Sequence, residues 1–312
     1  MLQCIILYLC NQFTKSGVSK SLKNETTRTE PIKKNSTFCP FCILPLTKTN
    51  QKQMEESILF RKENNVGHVT LNRPDVFNSF NREMALRLQT VLSQCQEDPD
   101  VRAVLLTGSG KAFCAGQDLK QMTGDNPPSF PTVLNDQYNP IVRKLREIPL
   151  PVVCLVNGVA AGAGANIALA CDITLAVDSA SFIQAFSKIG LIPDSGGTFT
   201  LPRLIGWQRA AALMMTGDKV PAKDAAEMGM IFRSVAADEG MAEATALAEK
   251  LAQMPTRGLA LTKRALNYSF DSDLEKQLAI ETELQDMAGR THDYQEGLQA
   301  FIEKRKPHFK GE

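Results

Sequence analysis

The chain is poor in histidine and in aromatic residues: three histidines, one tryptophan and 6% Phe, Trp and Tyr among 312 positions. His68, His292 and His308 stand in no triad-like context, and Ser195-Gly196-Gly197 is not a nucleophile elbow, so Ser/His hydrolysis is not expected. Gly158–Gly164 lacks the Lys-Ser/Thr ending of a P-loop and the downstream acidic residue of a dinucleotide fold, which argues against both nucleotide classes. No apolar run is long enough to span a bilayer, and no membrane role is expected. Eight cysteines are present, but Cys95, Cys114, Cys154 and Cys171 sit in apolar or glycine-rich contexts and read as small buried residues, with no disulfide framework. Cys39-Pro40-Phe41-Cys42 has the spacing of half a zinc site; the other half is absent, so no metal is expected.

Net charge is also lacking, at +1, but this hides an asymmetry. Residues 1–53 carry eight Lys/Arg against two Asp/Glu, whereas the remainder carries 27 against 32. A mildly acidic body gives no support for nucleic-acid binding. Residues 1–53 lack apolar periodicity and have a disordered composition, with Ile5–Leu9 too short for a span and no basic n-region before it. Met54 is expected to be the functional start, with a core over 54–248 and a helical region over 249–312. A cytoplasmic location is expected.

What the chain does have is glycine in particular places. Phe113-Cys114-Ala115-Gly116-Gln117-Asp118-Leu119 follows the β-like run Ala103–Thr107, and Asn157–Asn166, with Gly158, Gly162 and Gly164, follows Val152–Val156. Small residues at strand exits let a ligand approach the backbone and leave peptide N–H groups free. Two such loops can aim two donors at one oxygen, which points to chemistry at a carbonyl. Taken alone, Gly162-Ala163-Gly164 reads equally well as tight helix–sheet packing, and Asp118 as a helix cap or loop anchor. A third stretch, Gly190–Thr198, sets Asp194 in a glycine-rich turn. Asp in such a turn is commonly a turn former or N-cap. If the turn meets the two loops, Asp194 becomes a candidate base whose pKa an apolar surround of Phe182, Phe186, Ile189 and Ile192 would raise.

Between these stretches strands and helices alternate, which predicts an α/β fold with a mostly parallel sheet. Strands are expected at Ile58–Glu63, Gly67–Leu71, Ile173–Val177 and Phe182–Phe186, and helices at Ser79–Cys95 and Asp136–Ile148. Lys120–Pro131 reads as a surface loop. From Trp207 onward the pattern is helical, interrupted by a strand at Ile231–Val235.

The three stretches in this order resemble the crotonase, or enoyl-CoA hydratase/isomerase, superfamily from about Glu55 to Gly311. Leu71-Asn72-Arg73-Pro74, Cys171-Asp172-Ile173, Leu201-Pro202-Arg203 and Phe301–Lys306 add to the likeness. The resemblance implies a spiral of ββα units with a C-terminal helical trimerisation region, a homotrimer or a hexamer formed as a dimer of trimers. It implies an acyl-CoA thioester substrate, so that CoA enters as part of the substrate and no separate cofactor is expected. It also implies an oxyanion hole from the backbone N–H groups of Gln117 and Ala163, with Ala115, Asp118, Asn166 and Phe186 lining the substrate site. Hydratases of the family use two glutamates; the matching positions here are Asn166 and Phe186, neither of which transfers a proton as a carboxylate does. The context Ala185–Asp194, and Ala288–Gly297 near the C-terminus, are instead similar to the subgroup of ring-1,2-epoxyphenylacetyl-CoA isomerases. An acyl-CoA isomerase with Asp194 as its base is therefore expected, in phenylacetate or fatty-acid breakdown. The competing expectations are a hydratase with unusual residues and a non-catalytic CoA- or RNA-binding scaffold on the same fold.

Overall fold

Alternating residues build the first hairpin, β1 (Ile58–Glu63) against β2 (Val66–Leu71), antiparallel and turned at Asn64 and Asn65, both in the left-handed region that such tight turns require. The computed structural model describes residues 57–123 and 125–312. The expectations for residues 1–53, for Met54 as a start and for Cys39 and Cys42 lie outside the described residues. Helix α1 (Arg82–Glu97) is capped by the Asn81 side chain, which accepts the Met84 N–H at 2.9 Å, and it buries Met84, Leu88, Val91 and Leu92 on one face.

Three apolar runs, β3 (Ala103–Gly108), β5 (Val152–Val156) and β7 (Ile173–Val177), are buried on both faces and pair in parallel, as central strands with such compositions do. With β10 (Arg233–Val235) they complete a six-stranded sheet in the order β1-β2-β3-β5-β7-β10. Each central strand is followed by a short one in a second sheet: β4 (Ala112–Cys114), β6 (Val159–Ala161) and β8 (Ser181–Ile183). These stand in the order β4-β6-β8-β9, with β9 at Lys219–Pro221. The glycine-rich stretches therefore contain short strands as well as loops. The repeat is the ββα unit that the resemblance implies.

Helices close each unit. After β4 come α2 (Phe130–Val133), a wide π-type turn (Leu134–Tyr138) and α3 (Asn139–Glu147). After β6 comes α4 (Ala163–Ala170), buried on all sides. After β8 come a 3-10 turn (Ala185–Ile189), α5 (Gly197–Ile205) and α6 (Trp207–Thr216). The strand expected over Phe182–Phe186 ends at Ile183, because Phe186 turns inward and is buried within the 3-10 segment. Helix α5 was not among the expected helices, since only a glycine-rich turn was read over Gly190–Thr198; Gly196 serves as its left-handed N-cap, and Pro202 sits inside it at the loss of one backbone bond.

The rest is α7 (Ala222–Glu227), α8 (Gly240–Ala252), α9 (Thr256–Ser269), α10 (Leu274–Gly289) and α11 (His292–Glu303). The boundary expected at 248/249 falls inside α8, whose Ala244, Ala248 and Ala252 are buried and which packs on β3, β5 and β7. Helix α9 is tied to the sheet by buried Lys263, whose ammonium reaches Asp172 at 2.7 Å and the Leu145 and Leu150 carbonyls. No described helix is long and apolar enough to cross a membrane.

Candidate active site

The two glycine-rich stretches meet at β4 and the start of α4. Gly116 has φ 93°, and a Cβ there would sit 3.0 Å from the Ala161 carbonyl oxygen and 3.6 Å from the Ala163 nitrogen. Gly164 is closer still to its neighbour: a Cβ would lie 2.5 Å from the Cys114 carbonyl oxygen and 2.7 Å from its sulfur. Side chains larger than hydrogen would force the loops apart. Asn157 adds a polar tie, accepting the Gly108 N–H at 3.1 Å and donating to the Gly110 carbonyl at 3.1 Å.

Gln117 is held by its neighbours on both sides. Phe80 donates to the Gly116 carbonyl at 2.7 Å and accepts the Asp118 N–H at 2.9 Å, which turns the N–H of Gln117 itself away from Phe80. Ala163 is the first residue of α4, where no intrahelical acceptor exists and the helix dipole is positive. Neither N–H has an acceptor among the described residues. Unpaired peptide donors on adjoining loops are the arrangement that stabilises a developing oxyanion.

Asp194 lies half-buried in the turn before α5. Burial raises its pKa above the ordinary carboxylate value, and the Ser195 hydroxyl, donating to Oδ1 at 2.8 Å, acts against the rise. Asn166, on α4 and 2% exposed, donates from Nδ2 to the Asp194 carbonyl at 2.8 Å and accepts from Gln184 Nε2 at 2.8 Å. Phe186 is buried beside the same helix start, its ring 3.7 Å from where a Gly162 Cβ would be.

Residues 61–312 match the family described as enoyl-CoA hydratase/isomerase. The chain belongs to that family. It is 48% identical over 262 residues to the 1,2-epoxyphenylacetyl-CoA isomerase of Escherichia coli K12, covering 83% of this chain and all of that one. It is 36% identical to the mitochondrial enoyl-CoA hydratase of Pongo abelii, over 80% of this chain and 85% of that one. The crystal structure of an enoyl-CoA hydratase from Bacillus anthracis superposes with a TM-score of 0.77 at 36% identity, covering 82% of this chain and 100% of the other. The family relationship makes this an enzyme of acyl-CoA thioesters, of isomerase or hydratase type.

Within this family frame the structure brings Gln117, Ala163, Asn166, Phe186 and Asp194 together around the start of α4. Ala115 is exposed at the loop edge, its N–H donated to the Phe77 carbonyl at 3.0 Å. Asp118 is committed to the scaffold: it pairs with Arg73 at 3.0 Å and caps the short turn Leu119–Met122 through the Lys120 N–H at 3.2 Å. The sequence reading passed over the supports. Arg73 also donates to the Ser79 carbonyl at 2.5 Å, and Asn78 donates to the Ala112 carbonyl at 2.8 Å. Tyr138, 2% exposed, donates to Gln117 Oε1 at 2.7 Å and packs edge-on against Phe80. Burial above all, then Cys114, Asp194 and Asp118, holds its phenol well above the ordinary range, so it stays a neutral donor. Arg73 had a signal, the Asn-Arg-Pro motif; Tyr138 had none beyond its helix. Among the described residues, no three His, Cys, Asp or Glu side chains cluster as a metal site would require.

Proposed function

We propose that the chain is an acyl-CoA isomerase in which Asp194 is the proton-transferring base and the Gln117 and Ala163 N–H groups form the oxyanion hole. The observation that carries the reading is a half-buried carboxylate, Asp194, set beside an amide at 166 and a phenyl ring at 186. In the proposed reaction the thioester oxygen accepts from Gln117 and Ala163. Asp194 takes a proton from C2 of a 3-enoyl thioester, and the C–H electron pair enters the conjugated system as a dienolate. The proton then passes from Asp194 to C4, which leaves the double bond between C2 and C3. One oxyanion donor of this kind is worth about 3–4 kcal/mol. The raised pKa of Asp194 makes it a stronger base than an ordinary carboxylate at the moment of transfer.

The 48% identity to an isomerase of 1,2-epoxyphenylacetyl-CoA supports a ring epoxide of a phenylacetyl thioester as a substrate class beside 3-enoyl thioesters. On this reading the reaction belongs to phenylacetate or fatty-acid breakdown. CoA enters as part of the substrate, and the proposed steps use no further cofactor. Exposed apolar side chains on the late helices, among them Leu266, Leu274, Phe301 and Ile302, support self-association as a homotrimer or a dimer of trimers.

The test is a turnover screen against epoxyphenylacetyl-CoA, a 3-enoyl-CoA and a 2-enoyl-CoA, with wild type and Asp194→Asn. Isomerisation by wild type, lost by about a thousandfold or more in the variant with acyl-CoA binding retained, is the expected outcome. Hydroxyacyl-CoA formed from the 2-enoyl substrate, with near-normal turnover of Asp194→Asn, would favour a hydratase instead.

A further inference from the structure

We propose that Asn166 is a positioning residue whose side-chain amide locks the backbone of the Asp194 turn, and that a carboxylate at position 166 is incompatible with that turn. The inference rests on the reading of Asp194 as the base. It starts from the Asp194 carbonyl, which receives two donors: the Gly197 N–H at 2.9 Å and Asn166 Nδ2 at 2.8 Å. A carbonyl oxygen only accepts, so the amide orientation of Asn166 is fixed, and its Oδ1 is left to take the Gln184 Nε2 donor at 2.8 Å. Gln184 is itself buried. The amide thus has its oxygen and one N–H engaged within the protein and is enclosed by it.

Size restricts the position as firmly as charge does. A Cβ on Gly197 would lie 2.3 Å from Asn166 Nδ2, so the first residue of α5 has no side chain because the amide occupies that space. An ionised Glu or Asp at 166 would be acceptor-only and would face the Asp194 carbonyl oxygen without a proton between them. Burial would make that contact costly. The longer Glu side chain would also press on Gly197. In this backbone, then, the amide and the Asp194 turn form one unit.

The experiment uses the full chain with Asn166→Leu and Asn166→Asp, read by steady-state kinetics on the isomerised thioester and by hydrogen exchange of peptides spanning residues 193–200. Asn166→Leu is expected to lower kcat on the order of ten- to a hundredfold, by loosening the base, with KM within about twofold. Exchange over residues 193–200 should quicken. Asn166→Asp is expected to keep protection while the introduced acid is protonated, since its O–H replaces the amide donor, and to lose it as pH rises and that acid ionises. Asp194 is the titratable group on the facing turn; its own titration is common to wild type and variant and is removed by comparing them. Wild-type kcat and exchange in Asn166→Leu would overturn the proposal, as would a rise in KM alone, which marks a substrate contact. If wild type isomerises no thioester while Asn166→Leu still quickens exchange, the positioning role stands and the assignment of Asp194 as base falls. Should the Leu variant fail to fold, the pH-dependent protection of Asn166→Asp decides.

Discussion

The two loops that carry the candidate oxyanion donors are held by different physics. The Gln117 loop is positioned by polar side chains brought in from elsewhere: Arg73 on Asp118, Tyr138 on the Gln117 amide, and the Phe80 backbone on either side. Cys114 belongs to the same arrangement. Burial pushes its thiol up to about 12, and the neutral sulfur accepts the Gly116 N–H at 3.4 Å. The Ala163 loop has almost no polar side chain beyond Asn157. It is positioned by close packing, with α4 pressed on Cys114 through Gly164, and by the helix geometry that leaves its first N–H free. One donor is therefore adjustable in small steps through hydrogen bonds, and the other is set by contact and tolerates almost no change.

The sharpest way to break this contrast is Gly164→Ala. A methyl group 2.5 Å from a backbone oxygen cannot be accommodated by rotating a side chain, so the variant should lose about 3 kcal/mol in urea unfolding together with its turnover. Tyr138→Phe probes the other loop. It removes one buried hydrogen bond and leaves the Gln117 amide oxygen without its donor, which should cost about 1 kcal/mol of stability. The same variant should lower kcat while KM holds steady, because the donor loosens and the pocket wall remains. Stability losses of equal size in the two variants would show that the loops are not held differently.

Ser195→Ala is a control outside both loops and has the smallest expected effect. Its hydroxyl stabilises the ionised form of Asp194, so its removal raises a pKa that burial has already raised. A base must be deprotonated to act, so activity falls as pH drops through that pKa. The ascending limb of the pH–rate profile should therefore move to higher pH, with the plateau retained. An unmoved limb would mean that Asp194 is not the group titrating in it.

Much of the site was readable because its signals are local. Glycine at 116, 162 and 164 and aspartate in a turn at 194 are properties of short segments. The helix expected over Ser79–Cys95, found as α1, was legible for the same reason. What escaped were features whose energy comes from distant partners. The strands β4 and β6 have three residues each and exist because they pair with one another in the second sheet. Helix α5 begins at a glycine and carries a proline, and burial of Leu201 and Ile205 outweighs its poor propensity. Tyr138 lies in an ordinary helical pattern, and its partner Gln117 is 21 residues away.

By itself the sequence determined which groups are available. It supplies two strand exits that tolerate close approach, an aspartate between them and the late helices, and no glutamate at 166 or 186. Only the tertiary structure decided what those groups do to each other. It assigned Asp118 to Arg73, turned the amide of Asn166 onto the Asp194 carbonyl, and set Tyr138 against Gln117. The reason is physical: composition specifies which donors and acceptors exist, but their pairing depends on burial and on distances of about 3 Å, which arise only when the ββα units stack.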